Sequence, residues 1–207
     1  MGQAADRAVA AARSAAFISD PRKGSHRRKG TGASSGNMSD MFRGEYYQKV
    51  DSKVRVLIPA PFRRVLDAGD TRTSDTPRTR MIIVYGGKNR QFCDCYSMAG
   101  ADALARWVET IPLGSKDRIK AERDLITRSA TVEIDDDGRI VLPGPVREKL
   151  GLTPEMIKEG VESALAGATD RFSLWRGDVY RDMFGDDDDD GDGEDALAVV
   201  GRYPKVG

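Results

Sequence analysis

The chain has 207 residues and a mass of 22.6 kDa, long enough for one or two small domains with cores of their own. Its two cysteines, Cys93 and Cys95, are too few and too close together for a secreted disulfide framework, and no apolar run exceeds five residues, which excludes a spanning helix and a secretory signal and points to the cytoplasm. The 33 basic and 33 acidic side chains cancel in total but are segregated, with net +4 over residues 1–41, +2 over 42–182 and −6 over 183–207, a pattern that points to a polyanionic partner or to tails that modulate one.

Residues 1–40 read as a disordered basic leader: Pro21 to Asn37 is rich in Gly, Ser, Lys and Arg with no apolar period, and Ala4 to Phe17 lacks a hydrophobic face of useful width. Met1-Gly2 opens like a myristoylation signal, but Asp6 stands where Ser or Thr is required. Next come a β-rich run, Tyr46 to Val50, the polar turn Asp51-Ser52-Lys53, and a second run, Val54 to Ile58. Strand alternation places Val54, Val56 and Ile58 on one face and Arg55 and Leu57 on the other, so Arg55 is expected to project away from the core. Pro59 stops the strand, and Pro61 opens a helix that ends near Gly69.

That unit recurs. Shifting the chain by 84 residues lays Glu45–Leu66 over Ser129–Leu150 with six identities in 22 positions: Asp51/Asp135, Arg55/Arg139, Pro59/Pro143, Pro61/Pro145, Arg63/Arg147 and Leu66/Leu150. Average composition would give about one or two. The second copy has Asp135-Asp136-Asp137-Gly138 as its turn, Ile140 and Leu142 inward, Pro145 as helix start and Gly151 as stop.

Further β-rich chain follows each copy: Met81–Tyr85 and Gln91–Ser97 in the first half, Arg171–Trp175 in the second. Between them Leu104, Trp107, Val108 and Ile111 form an amphipathic stripe, and a weaker one with Ile119, Leu125 and Ile126 follows Ser115. Trp107 and Trp175 are expected in the core, and Cys93 and Cys95 as buried thiols on one strand face. The aspartate run from Gly185 to Asp195 reads as a solvated acidic tail; a calcium loop begun at Asp186 or Asp188 would place Leu197 or Val199 where a bidentate Glu must sit. The expected organisation is α+β: leader 1–40, a first β-rich lobe 44–96, connecting helices 97–127, a second lobe 128–178 and the tail 184–207.

Met41-Phe42-Arg43-Gly44, Asp51-Ser52-Lys53-Val54-Arg55, Ile58-Pro59 with Phe62-Arg63, and Asp136-Asp137-Gly138-Arg139-Ile140-Val141-Leu142-Pro143 together resemble the MraZ family of bacterial regulators of the division and cell-wall gene cluster. The resemblance covers about residues 41–183. It implies two AbrB/SpoVT-type swapped-hairpin units, a ring-shaped homo-oligomer, and sequence-specific binding of double-stranded DNA at tandem guanine-rich repeats in the promoter of its own operon. The protein would then be nucleoid-associated.

Arginine suits such a site because its planar fork donates two hydrogen bonds to O6 and N7 of one guanine. Arg55 and Arg139 are the expected base readers, with Lys53, Lys49 and Arg43 as further DNA contacts. Arg63 and Arg147, early in their helices, are expected to be structural or to contact phosphate.

Two features depart from the family pattern. Val54 stands where glycine is usual, and a turn there often needs a positive φ that β-branched residues resist. The copies also differ in charge: Arg43–Leu66 holds six basic and two acidic residues, Ser129–Leu150 three basic and five acidic. The first copy is therefore expected to supply most of the phosphate attraction.

Among rival readings, an enzyme is disfavoured: the single histidine, His26, lies in the leader, and no phosphate-cradling glycine loop is recognised. No catalytic residue, cofactor or metal is expected. An antitoxin-like, protein-binding module of the same fold is the alternative, although that class usually carries one copy. Because family members commonly begin at the equivalent of Met41, residues 1–40 are also read as an upstream mis-start.

Overall fold

The computed structural model describes residues 41–185 and 196–203. The expectations for the leader, the mis-start, His26 and the aspartate run after Gly185 lie outside the described residues.

The chain runs through strands β1 (Glu45–Lys49) and β2 (Arg55–Leu57), helix α1 (Ala60–Ala68), strands β3 (Arg80–Val84) and β4 (Phe92–Ser97), and helices α2 (Met98–Glu109) and α3 (Lys116–Ala121). A widened π-helical segment, Glu122–Thr127, leads into β5 (Ser129–Glu133), β6 (Arg139–Val141), α4 (Gly144–Leu150) and α5 (Pro154–Glu159). Strands β7 (Glu162–Ala168) and β8 (Arg171–Arg176) and helix α6 (Gly177–Phe184) follow, and a short helix, α7, covers Ala196–Gly201 within the expected tail. The protein is thus α+β with a mostly antiparallel sheet. Among the described residues no helix is long and apolar enough to cross a membrane.

The order strand, strand, helix, strand, strand, helix occurs twice, with the extra helix α5 inserted before β7 in the second copy, so the duplication extends beyond the 22 positions where identities survive. The larger sheet has the order β1-β7-β8-β4-β3-β5, all neighbours antiparallel. β4 and β8, equivalent strands of the two copies, pair at its centre. The first strand of each copy pairs with the other copy: β1 lies on β7, and β5 lies on β3. Residues 44–96 and 128–178, read from sequence as two lobes, share one sheet and one core.

The second strands also meet across the duplication, β2 on β6, with Val56 opposite Ile140. Their inward faces behave as alternation predicts: Val56, Ile58, Ile140 and Leu142 are buried with Phe62, Leu66, Val146 and Leu150 from the helices that follow. Phe62 is the aromatic hub, its ring 5.4 Å from Phe42, 5.2 Å from Tyr46 and 4.8 Å from Phe172. Gly151 ends α4 in the left-handed conformation at φ 64°, as a helix-stop glycine should. Ser97 and Ser115 cap α2 and α3 by accepting from the N–H groups of Gly100 and Arg118.

One core expectation fails. Trp175 is buried, but Trp107 is 74% exposed. The stripe on α2 was centred one position too far round: Val108 is buried and Leu104 half-buried, while Trp107 falls on the solvent side.

Cys93 and Cys95 are buried and unbridged on β4, and burial pushes the Cys93 thiol up to about 12, so both are inert thiols. Asp94 between them points the other way and is held by Arg90 and by Arg171 at 3.2 Å.

Asp70 ties the end of α1 to β3. Its carboxylate, fully buried, accepts from the Arg80 guanidinium at 2.7 Å and from the Arg80 backbone N–H at 2.8 Å. The Arg80 side chain, against the opposing effect of burial, holds Asp70 below the usual aspartate range. The folded state therefore releases this proton more readily than the unfolded chain does. Its stabilisation is complete above the ordinary carboxylate value of about 4 and is lost as pH falls through the lower folded value. Urea midpoints are expected to drop steeply only below about pH 4, and Asp70→Asn to be less stable at neutral pH with a flatter acid limb. An acid limb as steep in Asp70→Asn as in the parent would refute this assignment.

Candidate nucleic-acid interface

The two polar turns are built alike. In the first, the Asp51 carboxylate accepts from the N–H groups of Lys53 at 2.9 Å and Arg55 at 2.8 Å, while Val54 N–H donates to the Asp51 carbonyl at 2.8 Å. In the second, Asp135 accepts from Asp137 at 3.1 Å and Arg139 at 2.8 Å, and Gly138 N–H donates to its carbonyl at 2.9 Å. A short acceptor side chain at this position closes the turn on itself, which explains why Asp survives in both copies. Each turn then joins the other: Ile58 N–H donates to Gly138 O at 2.9 Å and Leu142 N–H to Val54 O at 3.0 Å.

Such closure needs a left-handed residue before each arginine. Gly138 supplies it at φ 79°, and Val54 adopts it at φ 61° despite its β-branch. The departure noted at position 54 therefore leaves the turn geometry intact and introduces local strain.

Arg55 and Arg139 stand on the same face of the two-stranded sheet, each partly exposed, and the two turn aspartates link them. Arg55 Nε lies 2.9 Å from Asp51 Oδ2 and its Nη1 3.4 Å from Asp135 Oδ2; Arg139 Nη1 lies 3.4 Å from Asp51 Oδ2. Burial pushes Asp51 up, but the N–H groups and guanidinium of Arg55 outweigh it and hold the carboxyl below its usual range. The two arginines are thus fixed members of a neutral four-charge cluster rather than free solvated side chains.

The other expected contacts divide by position. Lys53 is exposed on the first turn, next to the cluster, and Lys49 is exposed at the adjoining end of β1. Arg43 is exposed beyond the opposite end of β1, roughly 20 Å along extended chain from Lys49, and joins no patch with them. Arg63 and Arg147 are half-buried, and the Nε of each is shielded from solvent without a hydrogen-bond partner. The Arg63 guanidinium lies against the second turn: a Cβ built on Gly138 would come 2.6 Å from its Nη1. On the second turn, Asp136 pairs with Arg78 at 3.2 Å. Sequence reading did not anticipate the part of Asp51 and Asp135 in orienting the arginines; the signal was their identity in both copies.

Around this face no group of three or more His, Cys, Asp or Glu side chains is placed to hold a metal ion, and the same holds for all the described residues.

No family model matches the sequence. Curated relatives do. A Transcriptional regulator MraZ from Cereibacter sphaeroides (strain ATCC 17025 / ATH 2.4.3) is 47% identical over 143 residues, 69% of this chain and 84% of that protein. The chain belongs to the MraZ family. More distant MraZ proteins extend the comparison: that of Ruegeria sp. (strain TM1040) is 36% identical over 146 residues, covering 70% of this chain and 83% of the relative. That of Roseiflexus castenholzii (strain DSM 13941 / HLO8) is 31% identical over 135 residues, covering 65% and 80%.

Proposed function

We propose that this protein is a sequence-specific DNA-binding transcriptional regulator, a repressor of its own division and cell-wall gene cluster that reads tandem guanine-rich promoter repeats as a ring-shaped homo-oligomer in the nucleoid. The observation that carries the reading is the pair of preset guanidinium groups, Arg55 and Arg139, on one face of the β2–β6 sheet. Carboxylates that hold each fork in place reduce the ordering cost of a bidentate contact with guanine. Val141, directly opposite Arg55 in the ladder, is exposed and offers an apolar contact of the kind that thymine methyl groups accept. The AbrB/SpoVT-type swapped hairpin is the corresponding reading of the fold, and it is supported by the exchange of first strands between the copies.

Oligomerisation is supported by apolar side chains left on the surface of the connecting helices and the turn between them: Trp107, Leu113 and Ile119 are 74%, 90% and 59% exposed. An assembly that repeats one weak contact suits tandem sites, because each later contact is intramolecular.

Arg55→Ala is expected to bind tandem guanine-rich duplex about 10- to 100-fold more weakly, with little change for a scrambled duplex. Lys53→Ala is expected to weaken both duplexes equally and to reduce the salt slope by about one. Titration by fluorescence anisotropy at several salt concentrations, with melting curves as the folding control, measures both. A salt slope and scrambled-duplex affinity left unchanged by Lys53→Ala would contradict the assignment of phosphate attraction to the basic first copy. A parent protein that binds scrambled and guanine-rich duplexes alike would refute specific reading and favour the antitoxin-like alternative.

A further inference from the structure

Away from the double turn, the β3–β4 connection makes a second basic site. The Gly86–Arg90 segment turns at Gly87, whose φ is 85°, and is pressed against the π-helical segment so closely that a Cβ on Gly86 would come 1.8 Å from the Asp124 carbonyl oxygen. Only glycine fits there. The two glycine carbonyls are already occupied: Arg90 Nη2 donates to Gly86 O at 3.0 Å, and Lys149 Nζ, from the end of α4, donates to Gly87 O. Among the described residues, no acceptor is met by the backbone N–H groups of Gly87 and Lys88. Donors are therefore left over beside the two glycine carbonyls that are already used.

The same turn borders an open cavity of about 320 Å³ whose lining includes Gly87, Lys88, Arg128, Lys149, Tyr85 and a single carboxylate, Glu148. Lys88 is exposed and, among the described residues, meets no carboxylate, while Arg128 has among them a 3.7 Å pairing with the already shared Asp124. Asp124 serves three cations at once, with Lys120 at 2.9 Å and Arg123 at 3.2 Å as well. The cations around the loop outnumber the carboxylates available to them.

We propose that the Gly86–Arg90 turn, with Lys88, Arg128 and Lys149, is a phosphate-binding site. Glycine-turn N–H groups beside Lys and Arg provide directional hydrogen bonds and charge for a tetrahedral oxyanion. Burial, followed by the charges of Arg90 and Arg128, pulls the Lys149 ammonium below the ordinary lysine value, with Cys93 and Asp124 acting the other way. A bound anion would relieve that repulsion. The phosphate group comes either from a duplex backbone or from a free phosphorylated small molecule. The site stands independently of the DNA-binding reading above.

The test uses the full chain with inorganic phosphate as probe, the melting temperature being followed against phosphate at fixed ionic strength with chloride as control. Saturable stabilisation is expected, weakened about tenfold in apparent Kd by Lys88→Ala or Arg128→Ala and tightened a few-fold by Glu148→Gln. Absence of any phosphate-specific shift up to roughly 50 mM, or a shift unchanged in all three variants, overturns the proposal. In a second arm, loss of duplex affinity in Lys88→Ala together with competition by phosphate identifies the backbone as source. Phosphate binding with duplex affinity untouched identifies a free ligand. If no duplex binds at all, the functional reading fails while the phosphate titration still decides this site.

Discussion

Gly138→Val is expected to destabilise the protein by about 3 kcal/mol, combining the cost of a β-branched residue in the left-handed region with a clash in a filled space. At φ 79° any side chain is strained, and the new Cβ would lie 2.6 Å from the Arg63 guanidinium that covers the turn. Val54→Gly, at the equivalent position of the other copy, is expected to have the opposite sign. Release of strain at φ 61°, less the backbone entropy of glycine, leaves a gain of about 0.5–1 kcal/mol. Urea unfolding of the two variants measures both. The two exchanges are inverse, so general hydrophobicity would give the reversed pattern, a gain for Gly138→Val and a loss for Val54→Gly. A Gly138→Val protein within about 0.5 kcal/mol of the parent would refute the turn geometry.

Phe62→Ala is expected to cost about 3–5 kcal/mol, the range for removing a buried aromatic ring that cannot be replaced by collapse. Its ring, fully buried, contacts Phe42 edge-on, Tyr46 edge-on and Phe172 at 4.8 Å, so one truncation opens a void beside residues of both copies. Trp107→Ala removes a larger ring and is expected to change the stability of the dissociated chain by less than about 0.5 kcal/mol, because that ring is 74% exposed there. Equal losses for the two would place Trp107 back in the core.

Much of the fold was legible because its cues are local. Pro59 and Pro143 ended the second strands, Pro61 and Pro145 opened helices, Gly151 closed one, and alternation correctly assigned Val56, Ile58, Ile140 and Leu142 to the interior. β7 was not foreseen: Ser163-Ala164-Leu165-Ala166-Gly167 lacks the β-branched residues that mark a strand, and its conformation is imposed by neighbours on both sides, β1 and β8. The later half of the duplication was hidden as well. The offset between equivalent strands slips from 84 residues at β1 and β5 to 79 at β4 and β8, so a rigid comparison loses it. Interleaving of the copies was beyond any local cue, since strand partners are chosen in three dimensions.

For the candidate interface, the sequence identified Arg55 and Arg139 through their recurrence. It placed them in solvent, because an arginine on an outward strand position gives no sign of a carboxylate 80 residues away. The Asp51–Arg55–Asp135–Arg139 cluster becomes visible only once β2 and β6 are side by side.

Housing both partners of the strand exchange in one polypeptide removes a constraint that two identical chains would face. In a symmetric pair of separate subunits every substitution appears on both sides, so an acidic turn could never be matched with a basic one. Covalent linkage guarantees the mixed pairing at any concentration. Lys53 could then diverge from Asp137, and Val54 from Gly138, without producing mismatched assemblies. The result is a polar molecule with a distinguishable left and right, one turn carrying Lys53 and the other Asp136 and Asp137.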